Sequence, residues 1–213
     1  MKLRSKAERD EILNEIFRLY PTKTIELDFE TPFQLLAAVM LSAQMTDKGV
    51  NKATKKLFKI VKTPADLLKL EPEKVEVILR GVNYYRVKTK HLFQTAEKLV
   101  HEHGGKIPHT LETIRTLPGV GVKTAKVVLS HLYDMPFIGV DTHIHRVMNR
   151  MWIVKTKTPE ETDKKLDKLL SEDQKRTMHH AIVLFWRYIC TAKKCKCPKT
   201  PLARWCGCKE CRI

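Results

Sequence analysis

The chain has 213 residues, with 40 Lys and Arg against 24 Asp and Glu, a formal net charge of +16 at pH 7 and a sequence pI near 9.6. That length buries a sizeable core without disulfide support, and no apolar run approaches the roughly 18 residues of a membrane span, so disulfide scaffolds and integral membrane proteins are excluded. The opening MKLRSKAERDEILNEIF lacks a secretory apolar core; a soluble, cytoplasmic protein is expected, and the positive excess points to a polyanion, nucleic acid first.

Helix-start signals recur along the chain. Ser5 with Glu8 matches a capping box, in which paired side chains satisfy the free amides of a first turn, and Ile12, Ile16, Leu19 and Tyr20 follow at helical spacing. Thr31 with Gln34 matches the same pattern, and Thr31-Pro32 sets proline at the first helical position, where its missing N–H costs nothing. The apolar stretch FQLLAAVMLSA from Phe33 reads as a buried central helix, with Asp47 beyond it as the cap of the next. Thr63-Pro64 starts another helix. Leu92, Ala96 and Leu99 then keep the helical period up to a Gly104-Gly105 stop. Thr158-Pro159 with Glu161, and Ser171 with Gln174, open the last two helices. No alternating strand pattern or low-complexity linker interrupts the series, which predicts an all-α protein of about ten helices.

Three segments carry candidate chemistry. In LPGVGVKTAKVV a helix ending near Thr116 meets Pro118-Gly119-Val120-Gly121 and a second begins near Val122. Gly119 and Gly121 suit a tight reversal and close backbone approach, leaving amides to face an anion, and for this charge the natural anion is a DNA phosphate. From these residues alone the segment is equally a plain turn, with Lys123 a solvated or phosphate-binding lysine. Asp141, before HIHRVMNR, has two readings: the N-cap of a helix, or a carboxylate that assists an amine by charge or proton transfer. All six cysteines crowd into CTAKKCKCPKTPLARWCGCKEC from Cys190 onward, which points to a local metal site in a reducing compartment. His143 and His145 read as helix-face residues and not as ligands.

LPGVGVKTAKVVL followed by VDTHIHRVMNR, together with LLAAVMLSAQMTDKGVNKATKKL from Leu35, resembles the endonuclease III family of helix-hairpin-helix DNA glycosylases over almost the whole chain. The resemblance implies two helical lobes flanking a DNA-binding cleft: a six-helix lobe over 25–136 with the hairpin, and a second formed by 1–24 and 137–213 with a C-terminal cysteine-rich metal loop. A monomer is the default for such a fold. It implies Lys123 as nucleophile and Asp141 as catalytic carboxylate. The neutral amine attacks C1′ of a damaged nucleotide, the base leaves, a Schiff base forms and β-elimination cuts the strand 3′ to the lesion, for which a lowered lysine pKa is expected. Adenine-specific relatives carry a glutamate in the helix matching LLAAVML, where this chain has no acid, and commonly replace the lysine.

Oxidised pyrimidines are the expected substrates, in double-stranded DNA carrying the damaged or abasic nucleotide. Mismatched thymine or uracil, an activity restricted to abasic sites, and a catalytically silent DNA-binding module are the alternatives. Extruding a nucleotide requires residues that fill the gap. Gln44 matches the family's gap-filling glutamine, and Tyr84 or Tyr85 stands where family members often read Gly-Leu-Tyr, as a stacking wedge. The family commonly ends with C-x6-C-x2-C-x5-C holding a [4Fe–4S] cluster. Cys190, Cys197 and Cys206 match that spacing, but Thr200 occupies the third position. Cys208 is taken as the fourth ligand, with Cys211 or Cys195 as alternatives, and a Zn site using the terminal C-x2-C competes. The metal is expected to organise a tail poor in apolar surface and to display Lys193, Lys194 and Lys196 to phosphates.

Overall fold

The structure is a computed structural model describing residues 2–22, 25–193 and 195–208. Among these residues it contains eleven α-helices, two short 3-10 turns and no strand, only an isolated antiparallel bridge between Cys190 and Cys195. Contacts divide the chain into two compact units, Ile25–Tyr133 and Met1–Thr24 with Asp134–Ile213. No helix among the described residues is long and apolar enough to cross a membrane.

The unit Ile25–Tyr133 is built around α2 (Pro32–Leu41), buried from Phe33 to Leu41. Removing side chains such as Leu35, Leu36 and Leu41 from water is worth about 1.5–3 kcal/mol each before entropy is counted. Three helices pack on it: α3 (Asp47–Ile60), α6 (Tyr85–His103) and α8 (Val122–Tyr133). The short α4 (Pro64–Leu68) and α5 (Pro72–Ile78) lie against α6, and α7 (Leu111–Ile114) precedes α8 across the glycine turn. The Gln34 carboxamide is buried yet satisfied. Its Nε2 donates to the Phe58 and Val61 carbonyls at 2.8 and 2.7 Å, closing the end of α3.

The capping signals are mostly realised. Ser5 and Ser171 form complete boxes with Glu8 and Gln174, and Thr63 forms one with Asp66. Thr31 and Thr158 cap with their hydroxyls, but the returning side chains overshoot by one residue: Gln34 Oε1 accepts from the Glu30 amide at 2.7 Å, and Glu161 Oε2 from that of Lys157 at 2.9 Å. For Gln34 the cause is its nitrogen, whose commitment to α3 fixes where the oxygen points. Asp47 is not a cap. Thr46 takes that place by accepting from the Gly49 amide, and Asp47 is the first residue of α3.

In the other unit α1 (Lys6–Leu19) packs on α11 (Glu172–Tyr188), which packs on α9 (Thr142–Arg150), with α10 (Pro159–Leu169) against α9. Its core joins Ile12, Leu13 and Ile16 to Ile144, Val147, Met148 and Phe185, and continues into the cysteine tail through Leu202, Trp205, Cys190, Cys197, Cys206 and Cys208. The tail was expected to bury little apolar surface. It does otherwise, because the turn Pro201–Trp205 inserts Leu202 and Trp205 beneath α1. The Arg4 guanidinium adds a hydrogen bond to the Trp205 carbonyl at 3.1 Å.

Candidate active site and cysteine pocket

The glycine turn divides its two glycines sharply. Gly119 has φ +76, and a Cβ there would lie 2.8–2.9 Å from the His91 side chain, so conformation and space both demand glycine. The turn is held by Thr95 Oγ1, which donates to the Pro118 carbonyl at 2.8 Å, and by Lys98 Nζ, which donates to that of Thr116 at 3.3 Å. Gly121 has no positive φ, and an added Cβ would meet open space. Its carbonyl accepts the first bond of α8, from the Ala125 amide at 2.9 Å. The reversal therefore rests on Gly119, and Gly121 leaves the start of α8 uncovered. Gly119→Ala is expected to cost about 1–3 kcal/mol of stability, whereas Gly121→Ala should change it by less than about 1 kcal/mol. Urea unfolding midpoints at constant slope measure both.

Lys123 is exposed in the first turn of α8. Asp47, at the start of α3, is coupled to it by charge, although the two are distant in sequence. Burial pushes the Asp47 carboxyl up, and the positive charge of Lys123 pulls it down. A carboxylate of the same unit thus acts by charge on the lysine, a coupling that sequence spacing did not reveal. Three residues on, Lys126 is buried.

Gln44 and Tyr84 share an unusual backbone. Both are exposed and both have φ 57, the left-handed region that non-glycine residues enter only when held. The holding contacts are explicit. Asn83 Nδ2 donates to the Gln44 carbonyl at 2.7 Å, and Lys88 Nζ donates to those of Leu41 and Ala43, each at 2.7 Å. The ammonium thus closes the C-terminal end of α2, at the cost of desolvation that lowers its pKa. Asn83 ties the Gln44 turn to the Tyr84 turn, so two exposed side chains are presented by one braced surface. Tyr84 is 67% exposed. Tyr85 is instead half-buried in the first turn of α6, with the Arg86 guanidinium 5.6 Å from its ring centre.

Asp141 belongs to the other unit and is the N-cap of α9, its Oδ1 accepting from the amides of His143 and Ile144 at 2.9 and 2.8 Å. Both neighbouring histidines are helix-face residues. The His143 ring stacks on Trp186 with centroids 3.9 Å apart, and His145 Nδ1 lies 2.6 Å from Thr162 Oγ1.

The far end of α9 grips the cysteine loop. Arg146 donates to the Cys190 carbonyl at 3.0 Å, and Arg150 to those of Thr191 and Ala192 at 2.8 and 3.1 Å. The Gly207 amide donates back to the Arg150 carbonyl at 2.7 Å, and a Cβ on Gly207 would strike the Trp152 indole nitrogen. A hydrogen bond from Cys197 holds the Cys190 thiol down at about 7 against burial, assisted by Arg150, whose Nη1 lies 3.7 Å from its sulfur. The sulfurs of Cys190, Cys195 and Cys197 lie within 4.8 Å of one another, as do those of Cys195, Cys206 and Cys208. Such an all-sulfur donor set fits a soft, thiolate-binding metal. Lys193 and Lys196 are exposed around this loop; Lys194 and Cys211 lie outside the described residues.

Comparison with known proteins agrees with this architecture. The family model described as HhH-GPD superfamily base excision DNA repair protein matches residues 37–172. Endonuclease III of Escherichia coli (strain K12) is 41% identical over 206 residues, covering 97% of this chain and 98% of the relative. That of Thermotoga maritima is 39% identical over 95% of this chain and 88% of its own length. A trapped endonuclease III–DNA covalent intermediate superposes with a TM-score of 0.92 at 35% identity, covering 99% of this chain and 98% of that one. A thermostable thymine-DNA glycosylase gives 0.84 at 22% identity over 94% and 95%, a likeness of fold. With a family model spanning most of the chain and near full-length relatives at this identity, the chain belongs to the endonuclease III family of HhH-GPD base excision DNA repair proteins.

Proposed function

We propose that this chain is a bifunctional DNA N-glycosylase and AP lyase that removes oxidised pyrimidines from duplex DNA, with Lys123 as nucleophile and Asp141 as the second catalytic group. The observation that carries the reading is Lys123 itself: an exposed amine in the first turn of a helix, behind the Gly119 turn and coupled by charge to Asp47. In its neutral form that amine bonds to C1′ as the glycosidic C–N bond breaks and the base leaves with a proton. The aminal opens to a Schiff base, and loss of a C2′ proton then expels the 3′ phosphate. Asp141 is fixed by two backbone amides, which suits it to stabilise positive charge developing on the sugar or to accept a proton. Asp47 supplies a further negative charge that acts on the amine.

Four features support DNA as partner. The net charge is +16, the backbone that opens α8 is uncovered at Gly121, where amides at a helix N-terminus suit a phosphate, and Gln44 and Tyr84 are exposed and braced to enter a duplex. Endonuclease III has also been captured both as a covalent intermediate with DNA and as a non-covalent complex. In this reading 25–136 is the hairpin-bearing lobe, and 1–24 with 137–213 is the second. The cysteine pocket holds a thiolate-bound metal, [4Fe–4S] being the group that the C-terminal pattern implies, through Cys190, Cys197 and Cys206 with one more sulfur. When bound, it cross-links the loop that Arg146 and Arg150 fasten to α9.

The test is a panel of duplexes, each with one lesion, incubated with the protein and borohydride. Covalent adducts with oxidised-pyrimidine and abasic duplexes are expected. Adducts with abasic duplex alone would reduce the activity to an AP lyase, base release confined to G·T or G·U mismatches would move it to a mismatch glycosylase, and binding with no adduct would reject the enzyme.

A further inference from the structure

The family pattern leaves this chain one thiolate short, because Thr200 stands at the third position. Thr200 is not a substitute ligand. Its hydroxyl donates to the Cys197 carbonyl at 2.9 Å and its amide to the same oxygen at 2.8 Å, so the side chain is committed to its own turn. The replacement must reach sulfurs on both sides of that turn.

We propose that Cys195 is the missing ligand, completing a four-thiolate centre with Cys190, Cys197 and a sulfur from the Cys206 and Cys208 pair. Cys195 is the member common to both sulfur groups: it lies within 4.8 Å of Cys190 and Cys197 in one, and of Cys206 and Cys208 in the other. Whichever of the last two closes the set, Cys195 belongs to it. Cys206 is the better closing ligand, since it keeps its place in the motif and also hydrogen-bonds Cys197. Cys208 then remains beside it, with its sulfur 3.3 Å away.

The backbone explains how a residue five positions after Cys190 comes back to it. The chain reverses between them and is pinned by the antiparallel bridge of Cys190 with Cys195 and by the Lys196 amide, which donates to the Ile189 carbonyl at 2.9 Å. Arg150 fills the bend by binding the Thr191 and Ala192 carbonyls, and Arg146 holds the Cys190 carbonyl. The two guanidiniums also offset part of the negative charge of four thiolates around one metal centre. Binding releases the thiol protons to solvent, and the same donors suit a [4Fe–4S] cluster or a single zinc ion.

The experiment measures iron, zinc and acid-labile sulfide in the full chain purified without oxygen, independently of DNA chemistry. Wild type is expected to carry one centre: iron with equal sulfide identifies the cluster, zinc without sulfide the single ion, and both agree with the assignment. Cys195→Ser should lose about tenfold or more of the bound metal, and Cys208→Ser should keep it. Adding Thr200→Cys to Cys195→Ser should restore it by supplying the motif's own third position. Full metal in Cys195→Ser, or metal-free wild type, overturns the proposal. Should Cys195→Ser fail to fold, alkylation of the wild-type holoprotein decides: Cys195 is expected to be protected until the metal is chelated, and labelling while the metal stays bound overturns the assignment. Borohydride trapping run alongside keeps the questions apart, since lost trapping with the expected metal pattern rejects the repair reaction and leaves the ligand in place.

Discussion

Replacing Lys123 with glutamine is expected to abolish borohydride trapping on an abasic duplex while leaving the fold and most DNA affinity intact. The side chain is exposed, so its removal should change stability by no more than about 0.5 kcal/mol. One positive charge among 40 contributes a small part of the electrostatic attraction to DNA, and the dissociation constant should rise by less than about tenfold at fixed salt. The chemistry has no such reserve, because a glutamine amide is not nucleophilic and forms no Schiff base. The same substitution removes the charge that opposes burial at Asp47, so the Asp47 carboxyl should titrate at higher pH than in wild type, a shift readable by carbon-detected NMR. Trapping that survives in Lys123→Gln assigns the bond to another amine.

Asp141→Asn separates two roles that a single aspartate combines. Asparagine is as good an N-cap as aspartate, and its carbonyl oxygen can accept from the His143 and Ile144 amides as Oδ1 does now. Stability should therefore stay within about 1 kcal/mol of wild type. What is lost is the negative charge and the ability to take a proton, and the rate of base release at saturating DNA should fall about 10²–10⁴-fold. Asp141→Ala gives the contrast: it should lose the same activity and also about 0.5–2 kcal/mol of stability through the missing cap. Single-turnover base release with urea unfolding on both variants makes the comparison. An Asp141→Asn protein with wild-type rates would leave Asp141 as a cap alone.

Much of the fold could be read from local chemistry, since caps and helical periods act over three or four residues. Ser5 with Glu8 and Ser171 with Gln174 close the boxes their spacing predicts, and the apolar run from Phe33 is the buried centre of its unit. Residues whose partners are distant in sequence were read less well. Thr46 caps α3 in place of Asp47, and the latter's charge coupling to Lys123 depends on α3 and α8 both packing on α2. Gly119 and Gly121 look alike in the sequence, yet His91, far upstream, makes only the first indispensable. The burial of Leu202 and Trp205 against α1, in a tail that reads as poor in apolar surface, is tertiary and has no local signature. Asn83 carries no local signal of its role, and only the fold reveals that its carboxamide braces the Gln44 turn.

The claim on which the account turns is that one covalent bond forms at Lys123, and the most direct measurement locates that bond. The borohydride-trapped complex with an abasic duplex is digested with nuclease and protease, and the peptide carrying the reduced sugar is sequenced by mass spectrometry. The account predicts the added mass on Lys123. The same mass on the buried neighbour Lys126, on another lysine or on the terminal amine would contradict it.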